Sequence, residues 1–151
     1  MKSKFSAKGS KLEKLSKKKS QTNTVKIGVF GSAGQSKNGD LTNAQLAIIH
    51  EFGTARTPSR SFLRSTFDEK NKEWRKFIEA MSKRVFEGDM DELQVLGLLG
   101  EKAVADIREK IRSGIAPTLK ASTIKRKGSS KPLIDSGRLL NSIGWQVVKS
   151  E

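Results

Sequence analysis

Thr24-Val25-Lys26-Ile27-Gly28-Val29-Phe30 is the stretch on which the fold class turns, because Val25, Ile27 and Val29 alternate with Thr24, Lys26 and Gly28. A two-residue period puts every second side chain on one face of an extended chain, so these residues read as a strand with one buried face. Ile143-Gly144-Trp145-Gln146-Val147-Val148 alternates in the same way, from Ile143 through Trp145 to Val147. Pairing the two would set both ends of the folded core side by side. A sheet of two strands is marginal on its own, so either a further strand is expected within 31–45 or neighbouring subunits complete the sheet.

Between these stretches the apolar period is helical. Gly31 to Asp40 is rich in Gly, Ser and Asn and reads as a loop. Thr42 or Asn43 then caps a short helix to about Phe52, with Leu46, Ala47 and Ile49 as its apolar positions and Gly53 as its stop. Arg60 to about Glu87 reads as one long helix, marked by Trp74, Phe77, Ile78, Met81 and Val85 and extended toward its start by Phe62, Leu63 and Phe67. Gly88 breaks it. Asp89 or Asp91 caps a second long helix to about Ser113, with Leu93, Leu96, Val104, Ile107 and Ile111 along one face. Gly97 and Gly100 each cost that helix about 1 kcal/mol relative to Ala, which close packing or a bend has to offset. Past Gly114 and Pro117 comes a short basic helix, Leu119 to Lys127. Pro132 keeps the chain extended until Asp135 or Ser136 caps a last short helix. The class is α+β: a small antiparallel sheet packed against two long helices, with short extra helices.

The chain has 151 residues, enough for one domain with a real core, and its net charge is +14. Residues 1–22 hold eight Lys and one Glu, hence half of that charge, with only Phe5, Leu12 and Leu15 as sizeable apolar groups. Such a segment cannot bury enough surface to offset its ordering entropy, so a flexible basic arm is expected over 1–22 and a single domain over 23–151. Cysteine is absent, which excludes disulfides and thiolate metal sites. No apolar run approaches the roughly 18 residues of a membrane span, and no apolar stretch follows the first lysines as a secretory signal requires. Synthesis in the cytoplasm is the expectation.

Sites with chemistry are few. His50-Glu51 is half of a zinc-hydrolase helix motif, but that motif needs a second His and His50 is the only one in the chain. The glycines between Gly28 and Gly39 form neither a dinucleotide fingerprint nor a phosphate loop, since Lys37 is followed by Asn38. No nucleophile has an evident His partner and no acidic cluster fits magnesium, so neither an enzyme nor a cofactor is expected. Asp68, Glu69, Glu73 and Glu79 fall three or four residues from lysines and arginines, the pattern of a solvated helix face. Two basic segments remain. Lys17, Lys18 and Lys19 in the arm, and Lys120, Lys125, Arg126, Lys127 and Lys131 in a stretch without a single acid, suit either a phosphate backbone or an acidic protein surface. Phe5 is the arm's only aromatic, too little for a single-strand stacking platform.

Two blocks about eighty residues apart carry a resemblance. The first is Glu51-Phe52-Gly53-Thr54, a short loop with Pro58, then Arg60-x-Phe62-Leu63-Arg64. The second runs from Leu119-x-x-Ser122-Thr123-Ile124-Lys125-Arg126-Lys127-Gly128 to Pro132-Leu133-Ile134-Asp135-Ser136-Gly137-Arg138-Leu139 and Ser142-Ile143. In this order, over about residues 25–148, they resemble the virion-morphogenesis or tail-completion proteins of tailed bacteriophages, which sit at the head–tail junction. Ser136 stands where that family commonly has Thr, and Ser61 where a Pro often precedes the Phe. The arm lies outside the resemblance.

The resemblance implies a non-catalytic virion component, assembled in the host cytoplasm, that forms or joins an oligomeric ring of the neck. Its implied partners are copies of itself, neighbouring head-connector or tail-terminator proteins, and the packaged DNA; no membrane is implied. Beside that reading stands a physical one. Gly53 ends the first helix, Pro58 stiffens the loop, Phe62-Leu63 anchors the long helix, and Pro132-Leu133-Ile134 plugs the core before Leu139, Leu140 and Ile143. Arg56, Arg60, Arg64 and Arg138 would then project near these turns, and the motifs serve either packing alone or a surface that joins subunits. The competing function is a small nonspecific nucleic-acid-binding protein that acts through 1–22 and 120–131.

Overall fold

The two alternating stretches form strands β1 (Thr24–Val29) and β2 (Ile143–Val148). They pair antiparallel, with Thr24 opposite Val148, Ile27 opposite Trp145 and Val29 opposite Ile143. Between them lie helices α1 (Asn43–Phe52), α2 (Leu63–Glu87), α3 (Glu92–Ser113), α4 (Ala121–Lys127) and α5 (Arg138–Ser142). The computed structural model describes residues 23–31, 41–128, 130–134 and 137–149, with only the backbone of Lys127. Among the described residues the sheet has two strands; Thr42 makes a single bridge pair just before α1, and residues 32–40 of the 31–45 stretch expected to hold a further strand lie outside the described residues. The arm 1–22, and with it Lys17, Lys18 and Lys19, lies outside the described residues, as does most of the 31–40 loop. The fold is the α+β arrangement expected.

Helix starts follow local chemistry. Thr42 caps α1, its hydroxyl accepting from the Gln45 N–H while the Gln45 amide accepts from the Thr42 N–H. Asp91 and Gln94 make the same reciprocal pair at α3. Each such cap satisfies N–H groups that the helix cannot, and contributes about 1 kcal/mol. Three helices start later than the periodicity predicted. α2 begins at Leu63 rather than Arg60, because an acceptor outside the helix takes its first N–H groups. α4 begins at Ala121 after Lys120, and α5 at Arg138 after Gly137, whose φ is +75°. Asp135 and Ser136, the expected caps of α5, lie outside the described residues.

The helix α3 packs against both strands and against α2. Its deeply buried line is Val95, Leu99, Gly100, Ala103, Val104, Ile107 and Ile111, whereas Leu93 and Leu96 are only half-buried. The turn of the helix relative to the expected face has a steric cause. Trp145 of β2 lies on Gly97 and Gly100, so closely that a Cβ on Gly100 would stand 2.5 Å from the indole. The smallest residues of α3 must therefore face the sheet. The main core joins Ala47, Phe62, Val104, Ile107, Ile111, Leu133, Leu139 and Ile143, so Pro132-Leu133-Ile134 is the plug that the sequence predicted. A second cluster of Trp74, Leu99 and Ala103 lies between α2, α3 and β1, with Phe77 and Ile78 packed on it.

Carboxylates and lysines tie α2 to α3. Glu73 meets Lys102 at 2.6 Å, Glu69 meets Lys110, and Asp106 accepts from the Trp74 indole at 2.7 Å. Along α2 itself, Lys70–Glu73 and Lys83–Glu87 form i,i+3 and i,i+4 pairs. No described helix is long and apolar enough to cross a membrane.

Candidate interaction face

The first motif block folds around one carboxylate. Glu51, on the last turn of α1, is 3% exposed although it is charged. Its Oε2 accepts from the Phe62 and Leu63 N–H groups at 2.9 Å each. Its Oε1 accepts from the Ser61 hydroxyl at 2.6 Å and from the Arg64 N–H and Nε at 3.0 Å. The first N–H groups of a helix have no partner inside it and carry the positive end of the helix dipole. The cap residue of α2, Phe62, offers no side-chain acceptor and its first turn holds no acid, so Glu51 supplies both from eleven residues upstream. Burial alone would raise the Glu51 pKa. The hydrogen bonds from Ser61 and from the Leu63, Arg64 and Phe62 N–H groups outweigh burial and hold it below the usual carboxylate range.

The backbone between α1 and α2 closes over this centre. Gly53 has a φ of +76°, and a Cβ there would stand 2.7 Å from the Ser59 nitrogen, so only glycine fits the turn. Thr54 and Thr57 bond each other's backbone, the Ser59 hydroxyl donates to the Glu51 carbonyl, and the Arg60 N–H donates to the His50 carbonyl at 2.7 Å. Phe52, 61% exposed, lies under the Arg64 guanidinium at 4.5 Å. Ile48, one turn earlier on α1, is 59% exposed, and Phe67, one turn beyond Arg64 on α2, is 55% exposed. Beside them Ile27, Leu63, Arg64, Phe67, Asp68, Trp74 and Ile107 line an open cleft of about 300 Å³.

Arg60 corrects an expectation. It does not project from the turn: it is 6% exposed, and its guanidinium donates to the Pro117 carbonyl at 2.8 Å and the Thr118 carbonyl at 3.5 Å. Carbonyls facing inward from an irregular loop need a donor, and Arg60 satisfies them with a charge-assisted pair. This joins the two motif blocks, because the loop that carries Arg56 is fastened to the loop that leads into Lys120. Arg56, Lys120, Lys125 and Arg126 are exposed, and none forms an ion pair among the described residues. Arg64 is exposed and bound to Glu51, and Lys131 donates to the Arg112 carbonyl at 2.8 Å. Arg138 is half-buried at the start of α5; the side chain of Lys127 lies outside the described residues.

Two participants are not legible in the sequence. Arg108 of α3 donates to the Leu140 and Ile143 carbonyls and closes the end of α5, a pairing across more than thirty residues with no local signal. Ile48 is apolar and off the predicted stripe of α1, which was the available hint of an exposed patch. Among the described residues no group of three His, Asp or Glu could hold a metal ion. No protein-family model, curated protein or solved structure matches this chain at a significant level.

Proposed function

We propose that this chain is a non-catalytic structural component of a tailed-phage neck or tail-completion assembly, which forms or joins an oligomeric ring at the head–tail interface. The observation that carries the reading is the apolar surface beside the first motif block. Glu51 and Gly53 build a rigid turn whose outer side presents Ile48, Phe52 and Phe67 around Arg64, next to an open apolar cleft. A contiguous apolar patch rimmed by charge marks a surface that meets another protein. Aromatic and Arg side chains are the types that anchor such contacts. Among the described residues the sheet has two strands, and a sheet this small offers neighbouring copies a second way to join. In this reading the motif residues have both suggested roles: Glu51, Gly53, Arg60 and Phe62 hold the turn, and Phe52 and Arg64 display it.

The test is absolute mass by light scattering after nuclease treatment, at low and high salt, with and without Phe52→Asp. A defined oligomer that persists at high salt and dissociates in the variant is the expected result. A wild-type chain that stays monomeric up to the highest attainable concentration, and in the presence of phage particles lacking tails, would sink the reading.

A further inference from the structure

We propose that the loop 54–59 and the segment 118–126 form one phosphate-binding face, which grips the backbone of double-stranded DNA without reading its sequence. This inference is independent of the neck assignment. Three observations carry it. First, Arg60 fastens the two segments together through the Pro117 and Thr118 carbonyls, so Arg56 and Lys120 sit on neighbouring loops and Lys125 and Arg126 follow on α4.

Second, the two segments hold cations without acids, and none of Arg56, Lys120, Lys125 and Arg126 forms an ion pair among the described residues. No acid occurs between Glu51 and Asp68 or between Glu109 and Asp135, and the Glu51 carboxylate is consumed by five donors. Elsewhere the pattern is the reverse: Lys70, Lys83, Lys102 and Lys110 all have carboxylate partners. The acidic turn with Glu87, Asp89, Asp91 and Glu92 lies at the far end of the 25-residue α2. The two ends of α2 are about 37 Å apart, several times the roughly 8 Å screening length of physiological salt.

Third, the segment 112–131 exposes no large apolar side chain; those exposed among the described residues are Leu41, Ile48, Phe52, Phe67, Phe86 and Leu98. A docking site for an acidic protein needs an apolar or aromatic anchor within the charges, whereas binding to a phosphate backbone needs only cations that release condensed counterions. Arg56, Lys120, Lys125 and Arg126 stand on loops and a short helix, and neither 54–59 nor 118–126 contains an aromatic residue, a set fitted to phosphates rather than to base edges.

The experiment is anisotropy titration of a labelled random-sequence DNA duplex with the full-length protein over a series of salt concentrations. Each phosphate contact contributes about −0.9 to the slope of log K against log salt. Replacing Arg56, Lys120, Lys125 and Arg126 together by Gln should therefore make the slope shallower by about 3 to 4. Replacing Lys17, Lys18 and Lys19 by Gln should leave that difference intact. The four face residues make no ion pairs among the described residues, so the melting temperature of the variant is expected to match wild type and verifies its fold. An unchanged slope in the four-residue variant overturns the proposal. So does competition by poly-glutamate as effective as competition by unlabelled duplex, which would assign the face to acidic protein.

Discussion

Glu51 shows how one side chain sets a local structure that propensity scales would not find. Its carboxylate sits at the start of α2, where five donors converge, three of them backbone N–H groups that would otherwise have no partner. Glu51→Ala removes the acceptor and leaves the Phe62 and Leu63 N–H groups without a partner, while the exposed Arg64 guanidinium can turn to water, so a loss of about 2–4 kcal/mol is expected in urea denaturation. Glu51→Gln keeps the shape but not the charge, and its amide must turn a donor toward other donors; about 2–3 kcal/mol is expected. The pH dependence follows from the lowered pKa. A carboxylate with a folded pKa below its unfolded value, about 4.3, contributes its full stabilisation above that value and loses it as pH falls through the folded pKa. The gap between wild type and Glu51→Gln should therefore be constant from pH 7 to about 5 and shrink below pH 4. A gap that persists at pH 2 would show that charge is not what Glu51 supplies.

The contact between α3 and β2 rests on absent side chains. In an exposed helix Gly→Ala stabilises by about 1 kcal/mol, since glycine loses more backbone freedom on folding. At Gly100 the added Cβ would meet the Trp145 ring at 2.5 Å, with its Cβ also only 3.0 Å away, so ring and strand must move. Gly100→Ala should thus destabilise, by about 1–3 kcal/mol in denaturant titration. In a Trp145→Ala background the same change should turn neutral or stabilising, because the obstacle is gone. Gly97 is a milder case: its Cβ would stand 3.3 Å from the far edge of the indole. Both glycines were visible in the sequence as a cost without a reason. The partner 45 residues downstream of Gly100 supplies the reason, and no helical period could have named it.

Charge and apolar surface are unevenly distributed over the protein. The α2–α3 pair neutralises itself through Glu69, Glu73 and Asp106 against Lys102 and Lys110. Arg56, Lys120, Lys125 and Arg126 form no ion pair among the described residues, and on the outer side of α1 and the first turns of α2 Ile48, Phe52 and Phe67 are exposed. If these apolar groups join subunits, Ile48→Asp and Phe52→Asp should each lower the sedimentation-derived mass and leave the melting temperature within about 2 °C of wild type, because surface changes cost little stability. A fall in melting temperature by tens of degrees would place these side chains in the folding core instead.

Elements and caps were legible in the sequence because each depends on neighbours within a few residues: an alternating period, a Thr or Asp before a helix, a Gly after it; the pairing of the two terminal strands followed because only two stretches alternate. The apolar plug at Pro132-Leu133-Ile134 and the inward Leu139 and Ile143 were legible for the same reason. What was not legible are the long-range matches. The buried line of α1 is Asn43, Ala47 and Glu51, two polar residues and an alanine, while Ile48 and Phe52 face outward. A hydrophobic pattern finds Ala47 but leaves Glu51 at the surface, because it cannot know that Glu51 will find the free N–H groups of α2. Arg60 was expected at the surface, and the carbonyls of Pro117 and Thr118 draw it inside. Both reversals have one cause: a buried charge is tolerable only where partners converge on it, and convergence of groups distant in sequence exists only once the chain has folded.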